Sequence, residues 1–501
     1  MTIVAHERPK RRSAESHDQA TQATTLTRLL VERATTLSRF CTPSVLPEQE
    51  TISDLLGSDI SVSFSEPGAL IGHTGMFQAT ARLIADLHGA DHAFVVTNGS
   101  TGANQIALSA IARTSDGLFL IDRQCHHSVP SALTAFGLDW SYVGTAEWDS
   151  TWETPAPVTV ADVMAAILGA PRRVACVVLT SPTYAGESAD LAKIVSAIRR
   201  DAPSVLVHVD AAWFSHAPFV ESLRSISAMA AGADTASVSL HKQGGSLQPG
   251  AALLAHTDHI CAETLHAAYA EIASTSQSLI IAASVDASQR YLAEHGLGRF
   301  EAVANHTIEL KQGLQRALPE LRFLDELRPG PHDPTKLTLL LDGYQINGYE
   351  AATRLEREGI VAEKASPNTL TFLTTLSTSA YDVSRAVRAT ARILQRAGSP
   401  DHKPTRLPNP YEVIDSQPAI SPTIAVRRSI IDGESVPTAD AIGRVAAERI
   451  EAYPPGTAVV FEGFRVTAAA VDWLRTVRDC GGALVARDKS LTTIRVLRED
   501  S

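Results

Sequence analysis

Several features that mark common protein classes are missing from this sequence of 501 residues. It contains no run of about 18 apolar residues, which a membrane-spanning helix requires. Its five cysteines are scattered without a Cys-x-x-Cys pair, so we expect neither a disulfide framework nor a zinc site, and a reducing cytoplasm is favoured. The formal net charge of -11 argues against a broad nucleic-acid or anionic-membrane surface.

The amino terminus has a basic cluster but no apolar h-region, so we expect no signal peptide there. No internal repeat and no low-complexity tract stand out. Hydrophobic residues make up 44% of the chain and charged residues 20%, which is a globular balance. At about 150 residues per domain, the length predicts roughly two to four domains.

From about residue 75, helical periodicity alternates with short Val-rich runs. The runs HAFVVT, GLFLID, VACVVLT, SVLVHVD and TASVSL are typical of strands buried on both faces of a parallel sheet. Helical segments lie between some of them, which is the pattern of an α/β domain. The run TASVSL, residues 235–240, is predicted to be a strand that carries His241 and Lys242 at its end.

The sequence pattern predicts three regions. Residues 1–70 form an amino-terminal arm with a helix over 26–40. Residues 71–320 form the large domain. Residues 321–501 form an α+β region that contains a Pro-rich connection at 398–413.

Polar residues follow the predicted strands directly, and ligands bind at the carboxyl ends of strands in such sheets. Gly99, Ser100 and Thr101 open a helix, where free backbone N–H groups and hydroxyls would cradle a phosphate. The spacing is not Gly-x-x-x-x-Gly-Lys-[Ser/Thr], so a nucleotide P-loop is disfavoured.

Three further residues that follow predicted strands offer other chemical groups. Asp210 ends a buried run, where a carboxylate needs a cation. Lys242 can form a Schiff base when its amine is neutral. His126 offers a flat ring to cover a planar cofactor. Together with the phosphate cradle, these are the groups that pyridoxal 5'-phosphate requires.

Six stretches, in the same order along the chain, resemble the bacterial ornithine/lysine/arginine decarboxylases. They are residues 97–101, 122–126, 210–213, 239–248, 274–276 and 441–456. The likeness covers roughly residues 70–475. It implies the aspartate aminotransferase (type I) fold, with a pyridoxal-phosphate-binding large domain built on a mainly parallel seven-stranded sheet and a smaller α+β carboxyl-terminal domain.

The resemblance also implies roles for particular residues. Lys242 would carry the cofactor, with His241 beside it, and Asp210 would hold the pyridine nitrogen protonated. His126 would stack on the ring. The phosphate would be bound by Gly99, Ser100, Thr101 and Ser239. Trp213 would either line the site or simply pack in the core.

Thr275 and Ser276 resemble a loop that, in this family, reaches the cofactor of the neighbouring subunit. The resemblance therefore implies a homodimer or a higher homo-oligomer. The substrate implied is a basic amino acid of the arginine, lysine or ornithine type, and the metabolic setting is polyamine biosynthesis.

The match departs from the family in three places. The family's amino-terminal His-x-Pro-Gly-His-Lys is missing, and Gln277 stands where proline is usual. The family's Pro-Gly-Glu aligns with Glu462-Gly463-Phe464, so a carboxylate has shifted or is lost. Glu363 matches a family glutamate and could bind a distal cation or simply be solvated. Phe464 could offer an aromatic face to a guanidinium.

Two classes of function stay open on the sequence alone. The favoured one is a pyridoxal-phosphate-dependent decarboxylase of a basic amino acid. A related enzyme of the same cofactor class, an aminotransferase, lyase or oxidative deaminase acting on an arginine-like substrate, would use the same first steps. The other class is a non-catalytic regulator that kept the fold, although intact Lys242, Asp210 and His126 argue against it.

Overall fold

The computed structural model describes residues 38–41, 68–144, 147–327, 330–397, 406–415, 417–453 and 457–498. Strand β1, Ser38–Phe40, is the first described element, and it pairs in parallel with Ile360–Ala362. The helix predicted over 26–40 is therefore wrong for its last three residues, because they satisfy their backbone groups in a strand pair. Residues 26–37 lie outside the described residues.

The large domain contains nine strands and nine α-helices among its described residues. Its strands are β2 His92–Val96, β3 Leu118–Asp122, β4 Trp140–Val143, β5 Trp148–Asp149, β6 Thr154–Pro155, β7 Val174–Thr180, β8 Leu206–Asp210, β9 Thr235–Val238 and β10 Ala251–Ala255. Its helices are α1 Gly75–His88, α2 Gly99–Thr114, α3 Ser128–Ala135, α4 Val160–Leu168, α5 Leu191–Asp201, α6 Glu221–Arg224, α7 Leu240–Gln243, α8 Ala262–Ile272 and α9 Leu279–Ala317.

Seven of these strands form one sheet in the order β2-β10-β9-β8-β7-β3-β4. Strand β10 runs antiparallel to both of its neighbours, whereas the other pairs are parallel. Two separate hydrophobic clusters cover the two faces of the sheet. The prediction of an α/β domain with a mainly parallel seven-stranded sheet is confirmed, since Val-rich strands suit burial on both faces.

The rest of the chain supplies smaller sheets. Its strands are β11 Arg322–Phe323, β12 Lys336–Leu340, β13 Ile360–Ala362, β14 Lys364–Ala365, β15 Thr369–Leu373, β16 Gly433–Pro437, β17 Ile450–Tyr453, β18 Thr457–Val460, β19 Ala483–Val485 and β20 Thr493–Leu497. Its helices are α10 Leu324–Leu327, α11 Gly348–Arg357, α12 Ala380–Ala397, α13 Pro422–Asp432, α14 Thr438–Ala441 and α15 Ala468–Asp479. Strands β11, β12, β15 and β14 form an antiparallel sheet in that order.

The last part of the chain packs on the large domain. Phe461 and Phe464 contact Trp140 of β4, with ring centroids 5.3 and 5.7 Å away. Residues 398–405 of the predicted Pro-rich connection lie outside the described residues. Within its described part, Leu407 and Tyr411 are buried. No helix in the described parts of the chain is long and apolar enough to cross a membrane.

Strand β1 anchors the smaller sheet through one aromatic side chain. Phe40 is fully buried and meets Phe372 of β15 edge to face, with centroids 5.4 Å apart. We expect Phe40→Ala to lower the free energy of unfolding by about 3–5 kcal/mol, because it leaves a cavity in this core. Chemical denaturation measures the loss. Phe136→Ala, at a side chain that is 41% exposed, is the control, and an equal loss in both variants would contradict this role.

Candidate active site

A cavity of about 370 Å³ opens where strands β2, β3, β7 and β8 end. Ten residues singled out from the sequence line it: Gly99, Ser100, Thr101, His126, Asp210, Trp213, Ser239, His241, Lys242 and Glu363. These residues come from loops spread over more than 260 positions of the chain. The sheet therefore brings the predicted constellation to one place, as expected for the carboxyl edge of parallel strands.

Lys242 enters the cavity from a single helical turn. The strand predicted over 235–240 ends at Val238, and Ser239 precedes α7, so the lysine sits on a turn and not at a strand end. Gly244 permits close packing there, because a Cβ on it would lie 2.8 Å from the Leu240 carbonyl oxygen. Burial lowers the pKa of the Lys242 amine to about 8, so its neutral, nucleophilic form is accessible near neutral pH.

Asp210 lies at the end of β8, and a buried amide holds its carboxylate. Asn104 Nδ2 donates to Asp210 Oδ2 at 3.0 Å, and the Ala212 N–H donates to Oδ1 at 3.2 Å. Asn104 Oδ1 in turn accepts from His208 Nε2 at 2.9 Å and from the Ser237 hydroxyl at 2.5 Å. Asn104 therefore fixes the direction of the carboxylate, and the sequence analysis gave it no role.

The histidines of the site are neutral. Burial, with His127 and Lys242 adding to it, lowers the pKa of His126 to about 3. The Ser128 N–H donates to His126 Nδ1 at 3.2 Å, which leaves the ring proton on Nε2. Burial also lowers the pKa of His241 to about 4, and its Nδ1 donates to the Gly250 carbonyl at 2.9 Å. A neutral, oriented His126 ring suits stacking on a flat molecule.

The first turn of α2 forms the anion cradle. Gly99 has a φ of 79°, a left-handed conformation that glycine adopts without strain. The Ser239 hydroxyl donates to Ser100 Oγ at 2.9 Å, so hydroxyls from two loops meet at this helix end. Thr101 lines the cavity beside them. Free backbone N–H groups at a helix start favour a dianion such as phosphate.

This donor set fits pyridoxal phosphate. An anion cradle, a buried carboxylate, a buried amine of lowered pKa and a neutral flat ring all face one cavity. Asp210 has no ion-pair partner among the described residues, so a cationic ring nitrogen is the complement that its carboxylate needs.

Glu363 lies between β13 and β14, and Tyr184 holds it. The Tyr184 hydroxyl donates to Glu363 Oε1 at 2.7 Å, and the Tyr184 ring meets Trp213 with centroids 5.0 Å apart. Lys242 Nζ lies 3.9 Å from the centroid of that same Trp213 ring. Of the two positions expected for Trp213, the structure shows the site-lining one, next to Lys242.

Other residues of the cavity wall were not predicted from the sequence. One side is aromatic and apolar, formed by Trp148, Tyr349, Leu407, Pro410, Tyr411, Trp473 and Val477. Buried Glu153, with a φ of 50°, accepts from the N–H and the Nδ2 of Asn368. No local motif distinguishes these residues, since they come from four separate segments.

Four positions weighed from the sequence lie elsewhere. Thr275 and Ser276 are exposed and do not line the cavity of this chain. Glu462 is half-buried outside the lining, where burial raises its pKa. Phe464 is 1% exposed and packs on Trp140, so it offers no face to a guanidinium, and that expectation is corrected.

Comparison with solved structures defines the class of the fold. The E. coli constitutive lysine decarboxylase superposes with a TM-score of 0.74 at 22% identity, over 89% of this chain and 76% of that one. The Bacillus subtilis ureidoglycine-glyoxylate aminotransferase superposes with a TM-score of 0.55 at 15% identity, over 73% and 95% of the two chains. The fold is that of the type I pyridoxal-phosphate enzymes.

Sequence comparison is more specific. Residues 52–330 match the Orn/Lys/Arg decarboxylase major domain, and residues 408–484 match the carboxyl-terminal domain of the same family. The chain is 28% identical to an arginine decarboxylase of Halalkalibacterium halodurans over 438 residues, covering 85% of this chain and 86% of that protein. The chain belongs to the Orn/Lys/Arg decarboxylase family, which confirms the prediction of a basic amino-acid decarboxylase.

The Asn104 network yields a stability prediction. We expect Asn104→Ala to leave the buried His208 Nε2 donor without an acceptor, at about 1–3 kcal/mol, and to leave the Ser237 hydroxyl only its 3.5 Å contact with Asp210 Oδ1. Chemical denaturation should record this loss of unfolding free energy. Asn347→Ala, which removes only the side-chain cap of α11, is the matched control. An Asn104 variant as stable as the wild type would show that this network does not hold Asp210.

Proposed function

We propose that the protein binds pyridoxal 5'-phosphate on Lys242 and decarboxylates arginine. The observation that carries this proposal is that Lys242, Asp210 and Glu363 face a single cavity, although 153 positions separate Asp210 from Glu363. The first two residues suit the cofactor. The third gives a carboxylate for the far end of a cationic substrate.

Each part of the cofactor would be bound by a group that lines the cavity or borders it. Gly99, Ser100 and Thr101, with the Ser239 hydroxyl, would bind the phosphate. The Asp210 carboxylate would hold a proton on the pyridine nitrogen, and the neutral His126 ring would cover one face. When bound, pyridoxal phosphate supplies an electron sink for the electron pair left as carbon dioxide departs.

The wall around Glu363 supports arginine over lysine. A carboxylate accepts two parallel hydrogen bonds from a guanidinium, and the Tyr184 hydroxyl already orients one oxygen of Glu363. A guanidinium is less strongly hydrated than an ammonium and stacks on aromatic rings. The Tyr184 ring next to Glu363 therefore suits a guanidinium better than an ammonium. Relatives named arginine decarboxylase support the same choice.

We also propose a homodimer in a reducing cytoplasm. Thr275 and Ser276 are exposed on the loop between α8 and α9, which suits contact with a second copy. The five cysteines are all free, as a reducing compartment would keep them.

Attachment of the cofactor is directly testable. Borohydride reduction of the holoenzyme followed by peptide mass spectrometry should find pyridoxyl-lysine at Lys242 alone. Lys242→Ala should abolish this product, because the chain then lacks the attached amine. Label on Lys336 or Lys364, whose amines also have a pKa lowered by desolvation, would overturn the assignment.

Glu363 has a separate test. We expect Glu363→Gln to raise KM for arginine about 10–100-fold while kcat changes less, because a charge-assisted hydrogen bond contributes about 1.5–3 kcal/mol. Steady-state assays of carbon dioxide release measure both constants. Glu358→Gln, five residues earlier and outside the cavity lining, is the control. An unchanged KM would remove Glu363 from substrate binding.

A further inference from the structure

Trp213 borders two lysines. Lys242 Nζ and Lys336 Nζ each lie 3.9 Å from the centroid of its indole ring. The two nitrogens are therefore at most twice that distance, about 7.8 Å, apart. Lys336 begins β12, is 2% exposed and is not among the residues that line the cavity.

The protein holds the Lys336 nitrogen in place. Its Nζ donates to the Tyr184 carbonyl at 2.7 Å and lies 5.3 Å from the centroid of the Tyr184 ring. The Lys336 backbone N–H donates to the Asp333 carbonyl at 3.1 Å, which fixes the start of the strand. Lys336 thus has an acceptor and two aromatic faces, which favour its charged form.

Lys242 has a different environment. Among the described residues, no hydrogen-bond acceptor lies within reach of its Nζ, although the indole is close. Burial lowers the pKa of both lysines, and the charge of Lys242 lowers that of Lys336 further. Two ammonium groups this close repel each other, and the hydrogen bond from Lys336 Nζ to the Tyr184 carbonyl favours the proton on Lys336.

We propose that Lys336 is a positioning residue for the reaction: its fixed ammonium, next to Trp213, favours the neutral form of the Lys242 nitrogen. The inference rests on the proposed attachment of the cofactor to Lys242. A cation close to a reactive lysine is a known means of activating the amine.

Other charged groups face the two lysines, and they stay the same in every variant below. Those that act on Lys242 are Asp210 and Glu363, with His241 and His126 beside it. Those around Lys336 are Asp333, Glu363, Lys364 and His332. The two carboxylates near Lys242 favour its charged form, so the opposing effect of Lys336 is isolated by changing Lys336 alone.

The test is a pH titration of the visible absorbance of the holoenzyme, which reports the protonation of the nitrogen that joins Lys242 to the cofactor. Lys336→Gln keeps a donor for Tyr184 but removes the charge, and Lys336→Met removes both. At an effective dielectric constant of about 20, loss of a charge at most about 7.8 Å away should raise the midpoint by about one and a half pH units or more.

Two further variants complete the design. Lys336→Arg keeps a cation that never loses its proton, so its midpoint should stay at or below that of the wild type. Lys311→Met removes a lysine that also lies over an aromatic ring, Phe323, but outside the cavity lining, and should leave the midpoint unchanged.

A folded neutral variant with the wild-type midpoint would overturn the proposal. So would an upward shift in the Arg variant, which tests the proposal even if neither neutral variant folds. Borohydride labelling of the wild type at Lys242 is checked first. If Lys242 carries no label, the proposed function is refuted. If Lys242 is labelled but the neutral variants show no midpoint shift, only the role of Lys336 is refuted.

Discussion

The site depends on holding a carboxylate and an amine in one cavity without an ion pair between them. Asp210 ends β8, and Lys242 follows the adjacent strand β9 on the helical turn α7; the charged form of either group would be costly in this desolvated place. Asn104 stabilises the carboxylate by donating to it, while burial shifts the amine toward its neutral form. The cavity can therefore present an acceptor and a nucleophile at once, which is what a cofactor with a cationic ring and a reactive carbonyl requires.

The parallel sheet makes this arrangement possible. Strands β7, β8 and β9 lie side by side, so Thr180 pairs in register with Asp210, and Asp210 with Ser237. The last part of the chain then closes the aromatic side of the cavity, where the Trp148 indole N–H donates to the Leu407 carbonyl at 3.2 Å. The cavity wall thus draws on segments that contribute nothing to the anion cradle at the start of α2.

The sequence was informative where chemistry is local. Val-rich runs predicted the central sheet, and short motifs located Lys242, Asp210 and the phosphate cradle, because each motif follows a strand directly. It was uninformative where contacts are long-range. Asn104 meets Asp210 across 106 positions, and no pattern around residue 336 shows that its lysine shares an indole with Lys242. Phe464 was misassigned because its alignment position says nothing about the aromatic core that buries it.

The central claim is that the cavity directs its chemistry to the α-carboxylate of a guanidinium-bearing amino acid. The most direct measurement supplies the purified protein and pyridoxal phosphate with arginine, lysine, ornithine and leucine, and quantifies carbon dioxide, ammonia and amine. The account predicts one carbon dioxide and one amine for each arginine consumed, with leucine inert. Ammonia without carbon dioxide, or equal turnover of leucine and arginine, would contradict it.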